Sequence, residues 1–206
     1  MAQPVGALLT DDEYIAEERQ SPTKRQFIHG VVVAMAGGTA CHNAISANLI
    51  RELSSQLRSK PCVVLTSDQR VWIETTGLYT YPDVTVVCDR ARFHPKYGDT
   101  LVNPTVIIEV LSRGTEAYDR GAKFAHYRRV ASLKEYVVVS QRRHRVEHHR
   151  RVDNDQWLFT EYEGVDSVAN LPALAVNLAL RDIYEKTEGL AGDPEAPEPA
   201  GELHDP

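Results

Sequence analysis

The sequence has few cysteines, no long apolar run and no glycine-rich phosphate loop. Its three cysteines, Cys41, Cys62 and Cys88, are odd in number and lack C-x-x-C spacing. We therefore expect reduced thiols in a cytoplasmic protein, with Cys62 and Cys88 as small core residues. A zinc site at Cys41-His42 is disfavoured, because the pair lacks four-ligand spacing. No apolar run reaches the roughly 18 residues of a transmembrane helix, and we expect no signal peptide.

Length and composition indicate one soluble globular domain. The 206 residues are enough for a substantial core, and 42% hydrophobic with 25% charged residues is ordinary for this class. We assign residues 1–186 to the domain. Residues 187–206 are rich in Pro, Gly and Glu and have little to bury, so we predict a disordered acidic tail.

The net charge of −6 is unevenly distributed along the chain. Residues 185–206 contain seven acidic residues and one lysine, so residues 1–184 sum to zero. Residues 119–151 contain ten Lys or Arg and three Asp or Glu, a net charge of +7. This basic block is compatible with phosphate binding. A solvated helix and hairpin face would give the same pattern.

Two apolar segments rich in β-branched residues each carry one carboxylate. Residues 84–88 and 105–111 are flanked by turn formers, which predicts two buried strands. Asp83 stands where the first begins, and Glu109 lies inside the second. A lone buried carboxylate is costly unless it is paired, protonated or bound to a metal. Glu109 therefore indicates a functional site, with a buried Arg or Lys partner as the structural alternative.

Hydrophobic periodicity and turn residues place the other elements. The pattern predicts, in chain order, a helix capped by Thr10, a strand pair over residues 26–35, a helix over 39–58, strands over 62–66 and 68–73, a helix over 116–130, a strand over 134–139, a hairpin over 145–162 turning at Asp153-Asn154, and a short helix over 181–185. His42 lies in the first turn of the second helix. A histidine there could serve catalysis, or it could act as a cap or core donor.

The chemistry that these residues could perform is metal-assisted. Asp83 and Glu109 on adjacent strands offer the hard oxygen ligands that Mg²⁺ prefers, and the carbonyl of Val110 could add another. Lys123, in the helix that follows the Glu109 strand, could hold a water or stabilise a phosphoryl group. The alternative for Lys123 is an exposed ion pair with Asp119, four residues earlier.

Three motifs resemble those of the Uma-two family. They are Pro82-Asp83, Glu109-Val110-Leu111-Ser112, and the run Tyr118-Asp119-Arg120-Gly121-x-Lys123-Phe124-x-x-Tyr127. Members of that family are bacterial endonucleases of the PD-(D/E)XK superfamily. The resemblance implies an α/β restriction-endonuclease-like fold with a mixed central β-sheet flanked by helices. It also implies Asp83 and Glu109 as ligands of Mg²⁺ or Mn²⁺, and DNA as the substrate.

Two positions depart from the superfamily pattern. The usual lysine position, two residues after the glutamate, holds Leu111, and Lys123 in the next helix matches the displaced lysine of this family. An acidic residue is usual where this chain has Gln26, which keeps a hydrogen-bonding group but loses the charge. We expect Gln26, His42, Asp68 and Tyr127 to support the site.

The resulting hypothesis is a metal-dependent endodeoxyribonuclease that acts as a homodimer. A catalytically weak DNA-binding or assembly module with the same fold is the alternative, because Gln26 could impair chemistry. A structural oligomer without a nucleic-acid role would explain the acidic tail but not Glu109.

Overall fold

The computed structural model describes residues 8–35, 37–112, 114–153 and 156–190. The predicted hairpin tip at Asn154 and the tail beyond residue 190 lie outside these ranges. Within them, the helices are α1 (Asp11–Glu18), α2 (Ala40–Gln56), α3 (Glu116–Tyr118), α4 (Phe124–Tyr127) and α5 (Leu180–Ile183). A π-helical turn, Asp119–Lys123, joins α3 to α4.

The strands follow the apolar segments of the sequence. They are β1 (Arg25–Ile28), β2 (Val31–Ala34), β3 (Cys62–Thr66), β4 (Arg70–Ile73), β5 (Leu78–Thr80), β6 (Val84–Cys88), β7 (Thr100–Leu101), β8 (Val106–Val110), β9 (Glu135–Val139), β10 (Arg145–Arg151), β11 (Trp157–Glu163), β12 (Val168–Leu171) and β13 (Val176–Ala179).

The fold contains a mixed α/β architecture with two mixed sheets. The six-stranded sheet has the order β11-β10-β9-β8-β6-β3, and the five-stranded sheet has the order β2-β1-β5-β4-β7. Only β8–β9 in the first sheet and β4–β7 in the second are parallel pairs. The helical segment between β8 and β9 supplies the crossover that a parallel pair requires. The expected mixed central sheet is confirmed, and the second sheet was not predicted.

Helix α2 covers one face of the six-stranded sheet. Three residues of α2 and its C-cap residue are buried in one cluster with alternate valines of β6 and β9, as their spacing predicted: Ile45, Leu49, Leu53 and Leu57. In β8, Val106, Ile108 and Val110 face this cluster, whereas Ile107 and Leu111 belong to the cluster on the opposite face. Glu109 alternates with that second set, so its side chain points away from α2.

Local sequence rules explain two details of the N-terminal elements. Thr10 and Glu13 form a reciprocal capping box at the start of α1. His29 and Gly30 have φ values of 48° and 85° and join β1 to β2 in a tight turn. Both residues in that left-handed region twist the turn in the sense that suits a hairpin.

Cys62 and Cys88 correct the expectation of reduced core thiols. They occupy directly opposed positions of β3 and β6, with Cα atoms 3.9 Å apart, and form a disulfide. The prediction was wrong because the pairing depends on strand register, and the two residues are 26 positions apart in the sequence. Cys41 is buried on α2 as a thiol.

The packed domain extends beyond the predicted boundary at residue 186. Thr187 is 1% exposed, and its hydroxyl donates a hydrogen bond to the carbonyl of Tyr184. Leu190 packs against the α2 cluster. In the described part of the chain, no helix is both long and apolar enough to cross a membrane.

Candidate active site

A cavity of about 530 Å³ opens where β8 ends. The β1–β2 hairpin, the start of α2, the end of β8 and the α3–π segment enclose it. Its polar lining includes Gln26, His42, Asp83, Glu109, Ser112, Thr115, Tyr118, Asp119 and Lys123. Asp83 reaches the cavity from the start of β6, so the cavity lies between the two sheets and collects side chains from five separate parts of the chain.

The register of β6 and β8 brings the two predicted carboxylates together. Val84 pairs with Ile108 in an antiparallel ladder, so one step further sets Asp83 opposite Glu109. Pro82 precedes Asp83 and cannot donate to the ladder, which suits the start of a strand. The backbone N–H of Val110 donates to Oδ2 of Asp83 at 2.7 Å. This bond fixes the Asp83 carboxylate at the end of β8.

Lys123 is buried between two carboxylates. Its Nζ lies 2.8 Å from Oε1 of Glu109 and 3.2 Å from Oδ1 of Asp119, and all three side chains are about 5% exposed. Tyr127 is also buried, and its hydroxyl donates to Oε1 of Glu109 at 2.8 Å. The predicted pair of Lys123 with Asp119 is present, but it is buried rather than exposed, and the same ammonium also contacts Glu109.

The protonation of this cluster reflects burial and crowded charge. Burial raises the pKa of Glu109 to about 8; the charge of Lys123 opposes this shift, and the charges of Asp83 and Asp119 add to it. Burial alone would lower the pKa of Lys123, but Glu109 and Asp119 outweigh it and raise that pKa above its ordinary value. Three carboxylates face the ammonium of Lys123 once Glu109 is ionised, and below its raised pKa Glu109 enters the cluster as a neutral acid.

The π-helical turn holds the lysine in this position. Asp119 begins the turn and Lys123 ends it, so both charged side chains come from one widened turn. The backbone carbonyl of Asp119 accepts a hydrogen bond from the hydroxyl of Tyr136 on β9 at 2.8 Å. π turns within helices are frequent at functional sites. Here the hydrogen bond from Tyr136 joins the turn to β9.

His42 contacts the first carboxylate. Its Nε2 lies 3.2 Å from Oδ2 of Asp83. Burial works to lower the pKa of His42, but the hydrogen bond and charge of Asp83 outweigh burial and raise it. Gly38 makes room for the ring, because a Cβ on Gly38 would lie 2.4 Å from Nδ1 of His42.

Gln141 closes a ring of contacts around the site. Its amide nitrogen donates to the carbonyl of Leu111, and its amide oxygen accepts from the hydroxyl of Thr39 at 2.7 Å. The Thr39 side chain caps α2 by accepting from the N–H of His42. His42 in turn contacts Asp83, and Asp83 accepts from the N–H of Val110 at the end of β8. The start of α2, the start of β6 and the end of β8 are thereby fixed together.

The other predicted residues divide between the cavity and the surface. Gln26 lines the cavity, and its Oε1 accepts from the hydroxyl of Tyr118 at 3.3 Å. Asp68 is not brought to the site: its side chain is 84% exposed and pairs with Lys24. The motif position of Asp68 falls in the turn before β4, which points to solvent. Sequence reasoning treated Asp119 only as a surface partner and did not single out Gly38 or Gln141.

The negative charge and the oxygen donors of these side chains suit a hard divalent cation. Oδ1 of Asp83 and Oε2 of Glu109 accept no hydrogen bond from the described residues, which leaves two carboxylate oxygens for a ligand. No group of three or more His, Cys, Asp or Glu side chains in the described ranges has the arrangement of a protein-only metal cluster. Mg²⁺ usually takes one or two carboxylates from a protein and completes its octahedron with waters and phosphate oxygens.

Fold and site together define a protein of the restriction-endonuclease-like class, in which acidic residues on adjacent strands face a lysine. Residues 11–181 match the family Uma2, described as "Putative restriction endonuclease". The chain belongs to this family, as the motifs had indicated.

Two relatives and one solved structure are similar to this chain. The chain is 37% identical over 157 residues to the uncharacterized protein sll1609 of Synechocystis sp., covering 76% of this chain and 89% of the relative. It is 33% identical over 177 residues to slr1290 of the same organism, covering 85% and 91%. The fold matches a crystal structure of "a putative nuclease belonging to DUF820" from Anabaena variabilis, with a TM-score of 0.69 and 17% identity over 85% of this chain and 97% of that one.

Proposed function

We propose that the protein is a metal-dependent endonuclease that hydrolyses phosphodiester bonds in DNA. One observation carries the proposal: Asp83 and Glu109 stand opposite each other at a cavity, with the Lys123 ammonium 2.8 Å from Glu109. A structural ion pair would need only one carboxylate for the lysine. This site has three carboxylates, two of them with an oxygen that no described residue uses.

Asp83, Glu109 and the Val110 carbonyl would hold Mg²⁺ or Mn²⁺. When bound, the ion neutralises charge on a phosphoryl group and lowers the pKa of a water. The protein's contribution is to fix the two carboxylates before the ion arrives. The Val110 N–H and His42 orient Asp83, and Tyr127 and Lys123 orient Glu109.

Lys123 supplies fixed positive charge beside the ligands. Its ammonium is compact, and burial strengthens its interaction with a phosphate oxygen in the cavity. Asp119 and Glu109 keep it protonated. It therefore acts electrostatically on the attacking water or on the charge that develops on the phosphate.

A divalent-metal titration tests the proposal. We expect wild-type protein to nick supercoiled DNA in Mg²⁺ or Mn²⁺ and not in EDTA, and we expect Asp83→Ala to abolish nicking. Because the carboxylates repel until a cation lies between them, metal should also raise the melting temperature of the wild type but not of Glu109→Gln. If metal does not change the melting temperature and the wild type does not nick DNA, the proposal is overturned.

A DNA-binding or assembly module is the second candidate, and Gln26 is the observation that favours it. Gln26 lines the cavity as a neutral side chain at the position where the family resemblance implies an acidic residue. Under this alternative the protein binds duplex DNA in the absence of metal, and it does not nick DNA when metal is added. Restoring the charge with Gln26→Glu should then generate metal-dependent nicking, which separates a weakened enzyme from a protein that never had the chemistry.

A further inference from the structure

The arginines of the basic block, residues 119–151, differ in what their side chains contact. Arg120 and Arg145 both contact Oε1 of Glu147, at 2.8 and 3.1 Å, and so serve the fold. Arg129 is exposed, and its side chain forms no hydrogen bond or ion pair with any other residue that the structure describes. Arg129 is therefore available to a ligand.

A second cavity, of about 250 Å³, opens beside Arg129. The end of β4 with the turn after it, the loops that follow β6 and β7, and the segment after α4 enclose this cavity. The Ser132 hydroxyl, at its wall, donates to the carbonyl of Pro104 just before β8. A strand rises about 3.3 Å per residue, so roughly 15 Å of β8 separates the second cavity from Glu109. The polar and aromatic lining includes Trp72, Glu74, Thr75, Arg92, Arg129 and Ser132.

Hydrogen bonds fix the backbone that carries Arg92. The N–H of Arg92 donates to Oδ1 of Asn103 at 2.7 Å, and the carbonyl of Arg92 accepts from the N–H of Val102 at 3.0 Å. Asn103 is 9% exposed, and its amide also donates to the carbonyl of Arg90 at 3.1 Å. Both backbone groups of Arg92 are thus occupied, whereas its exposed guanidinium contacts no hydrogen-bond acceptor among the described residues.

Arg151 fixes the segment that carries Arg129. It donates to the carbonyls of Arg128 and Val130, the residues on either side of Arg129, at 2.7 and 3.0 Å. It also donates to the carbonyl of Leu133 at 2.8 Å. The fold therefore holds the backbone on both sides of Arg129 and leaves the side chain of Arg129 unused.

The charged groups at the second cavity do not neutralise one another. Within the described ranges, neither Arg92 nor Arg129 forms an ion pair with Glu74, although all three line the cavity. Two arginines against one glutamate leave a net positive charge there. A guanidinium that lacks a carboxylate partner can bind a phosphate with two parallel hydrogen bonds. The cavity therefore offers charge and donors to a ligand that carries oxygen acceptors.

We propose that the second cavity binds the phosphate group of a small molecule, either inorganic phosphate or a small phosphomonoester. Arg92 and Arg129 bind the phosphate oxygens, and Trp72 forms an apolar wall that is stacked on Tyr79. The volume lies just below the roughly 300–1,000 Å³ of pockets for drug-sized ligands, so the body of the ligand is small. This inference does not depend on the proposed function.

The fluorescence of Trp72 provides a direct test. The chain has two tryptophans, so Trp157→Phe leaves Trp72 as the only indole reporter. Emission is titrated in EDTA with inorganic phosphate and with glycerol 3-phosphate, against potassium chloride at matched ionic strength and against glycerol. The melting temperature of the protein with both tryptophans gives a second measurement, because a ligand that binds only the folded state raises it.

Single substitutions identify which arginines hold the ligand. Arg92→Ala and Arg129→Ala should each weaken phosphate binding by about tenfold, since each removes a charge-assisted contact. Arg128→Ala is the matched control, because Arg128 is the exposed neighbour of Arg129 and does not line the cavity. It should change binding by less than about twofold, because solvent screens an exposed charge. Glu74→Gln should strengthen binding, because it removes a negative charge beside the anion.

The outcomes separate the possible ligands. Tighter binding of glycerol 3-phosphate than of inorganic phosphate identifies an ester as the ligand, and the reverse order identifies the free anion; both support the inference. No saturable response to either probe, the same response to chloride, or an equal loss from Arg128→Ala would overturn it. A DNA duplex that displaces phosphate, with its affinity lowered by Arg92→Ala, would instead assign these arginines to DNA and would also overturn the inference.

Discussion

Lys123 lies in a position where its loss affects stability and chemistry in different ways. It is buried against Glu109 and Asp119, so its removal leaves two buried carboxylates without their cation. Breaking a buried pair in this way costs about 3–5 kcal/mol, far more than the roughly 1 kcal/mol of an exposed pair. A direct contribution to rate would come on top of this effect.

We expect Lys123→Met to abolish metal-dependent nicking while it retains metal binding. Methionine fills much of the space without the charge, and removal of one electrostatic group costs on the order of 10²-fold or more in rate. Asp119→Asn is the matched control, since it weakens the same ion pair and leaves the ammonium in place. Nicking of supercoiled DNA and metal-dependent melting are measured for both. Comparable activity in wild type and Lys123→Met would remove Lys123 from the reaction.

The raised pKa of Glu109 predicts a specific pH dependence of stability in metal-free protein. Its pKa is about 8 in the folded protein and 4.5 ordinarily. Between these values the folded state holds a proton that the unfolded state has released, so the free energy of unfolding falls as pH rises. The contribution of Glu109 to the free energy of unfolding is fully present below pH 4.5 and is lost above about pH 8.

Glu109→Gln should therefore flatten the decline of melting temperature over this pH window in EDTA. Glutamine keeps an oxygen to accept the hydrogen bond from Tyr127 and cannot ionise. Melting curves of both proteins at several pH values give the comparison. Parallel curves would show that Glu109 is already ionised in the folded state.

At the scale of elements, the sequence predicted the strands of the site and the helical segment over residues 116–130, but not the π turn within that segment. Alternation in residues 105–111 places Glu109 with Ile107 and Leu111, and the structure confirms this face. The π turn was not predicted because Asp119 and Lys123, four apart, also fall on one face of an ordinary α-helix. The widened turn depends on support from Tyr136, which no local pattern reveals.

The start of α2 provides a test of how His42 is positioned. A Cβ on Gly38 would lie 2.4 Å from Nδ1 and 2.7 Å from Cγ of His42, whereas one on Gly37 would have no atom within 4 Å. Gly38→Ala should displace the ring from Asp83 and reduce nicking by about tenfold, comparable to the loss of one orienting contact. Gly37→Ala should leave it unchanged. An equal effect of the two substitutions would show that His42 placement does not matter.

At the scale of the whole molecule, the sequence predicted one α/β domain and an acidic tail, but set their boundary too early. Composition changes at about residue 187, yet Thr187 and Leu190 pack against the domain. One buried and one partly buried position in a polar stretch are too few to change its composition. The second sheet was missed for a similar reason, since β7 has only two residues and its pairing with β4 is parallel and non-local.

Two truncations locate the end of the folded domain. Removal of residues 191–206 deletes five acidic residues and no Lys or Arg, so melting should be unchanged and DNA affinity should rise at low salt. Removal of residues 186–206 also deletes the contacts of Thr187 and Leu190. A loss of roughly 1 kcal/mol there would lower the melting temperature by about 2–4 °C. Equal melting of the two truncated proteins would contradict this boundary.

The π turn also determines whether this segment tolerates substitutions and deletions during evolution. Gly121 is exposed, and a Cβ on it would contact nothing within 4 Å, so substitutions there should be neutral. A deletion of one residue is different, because each helical residue turns the chain by about 100°. Losing Gly121 would rotate Lys123 and Tyr127 away from Asp119 while leaving the composition almost intact. Homologous sequences should thus vary freely in side chain at this point and hardly at all in length.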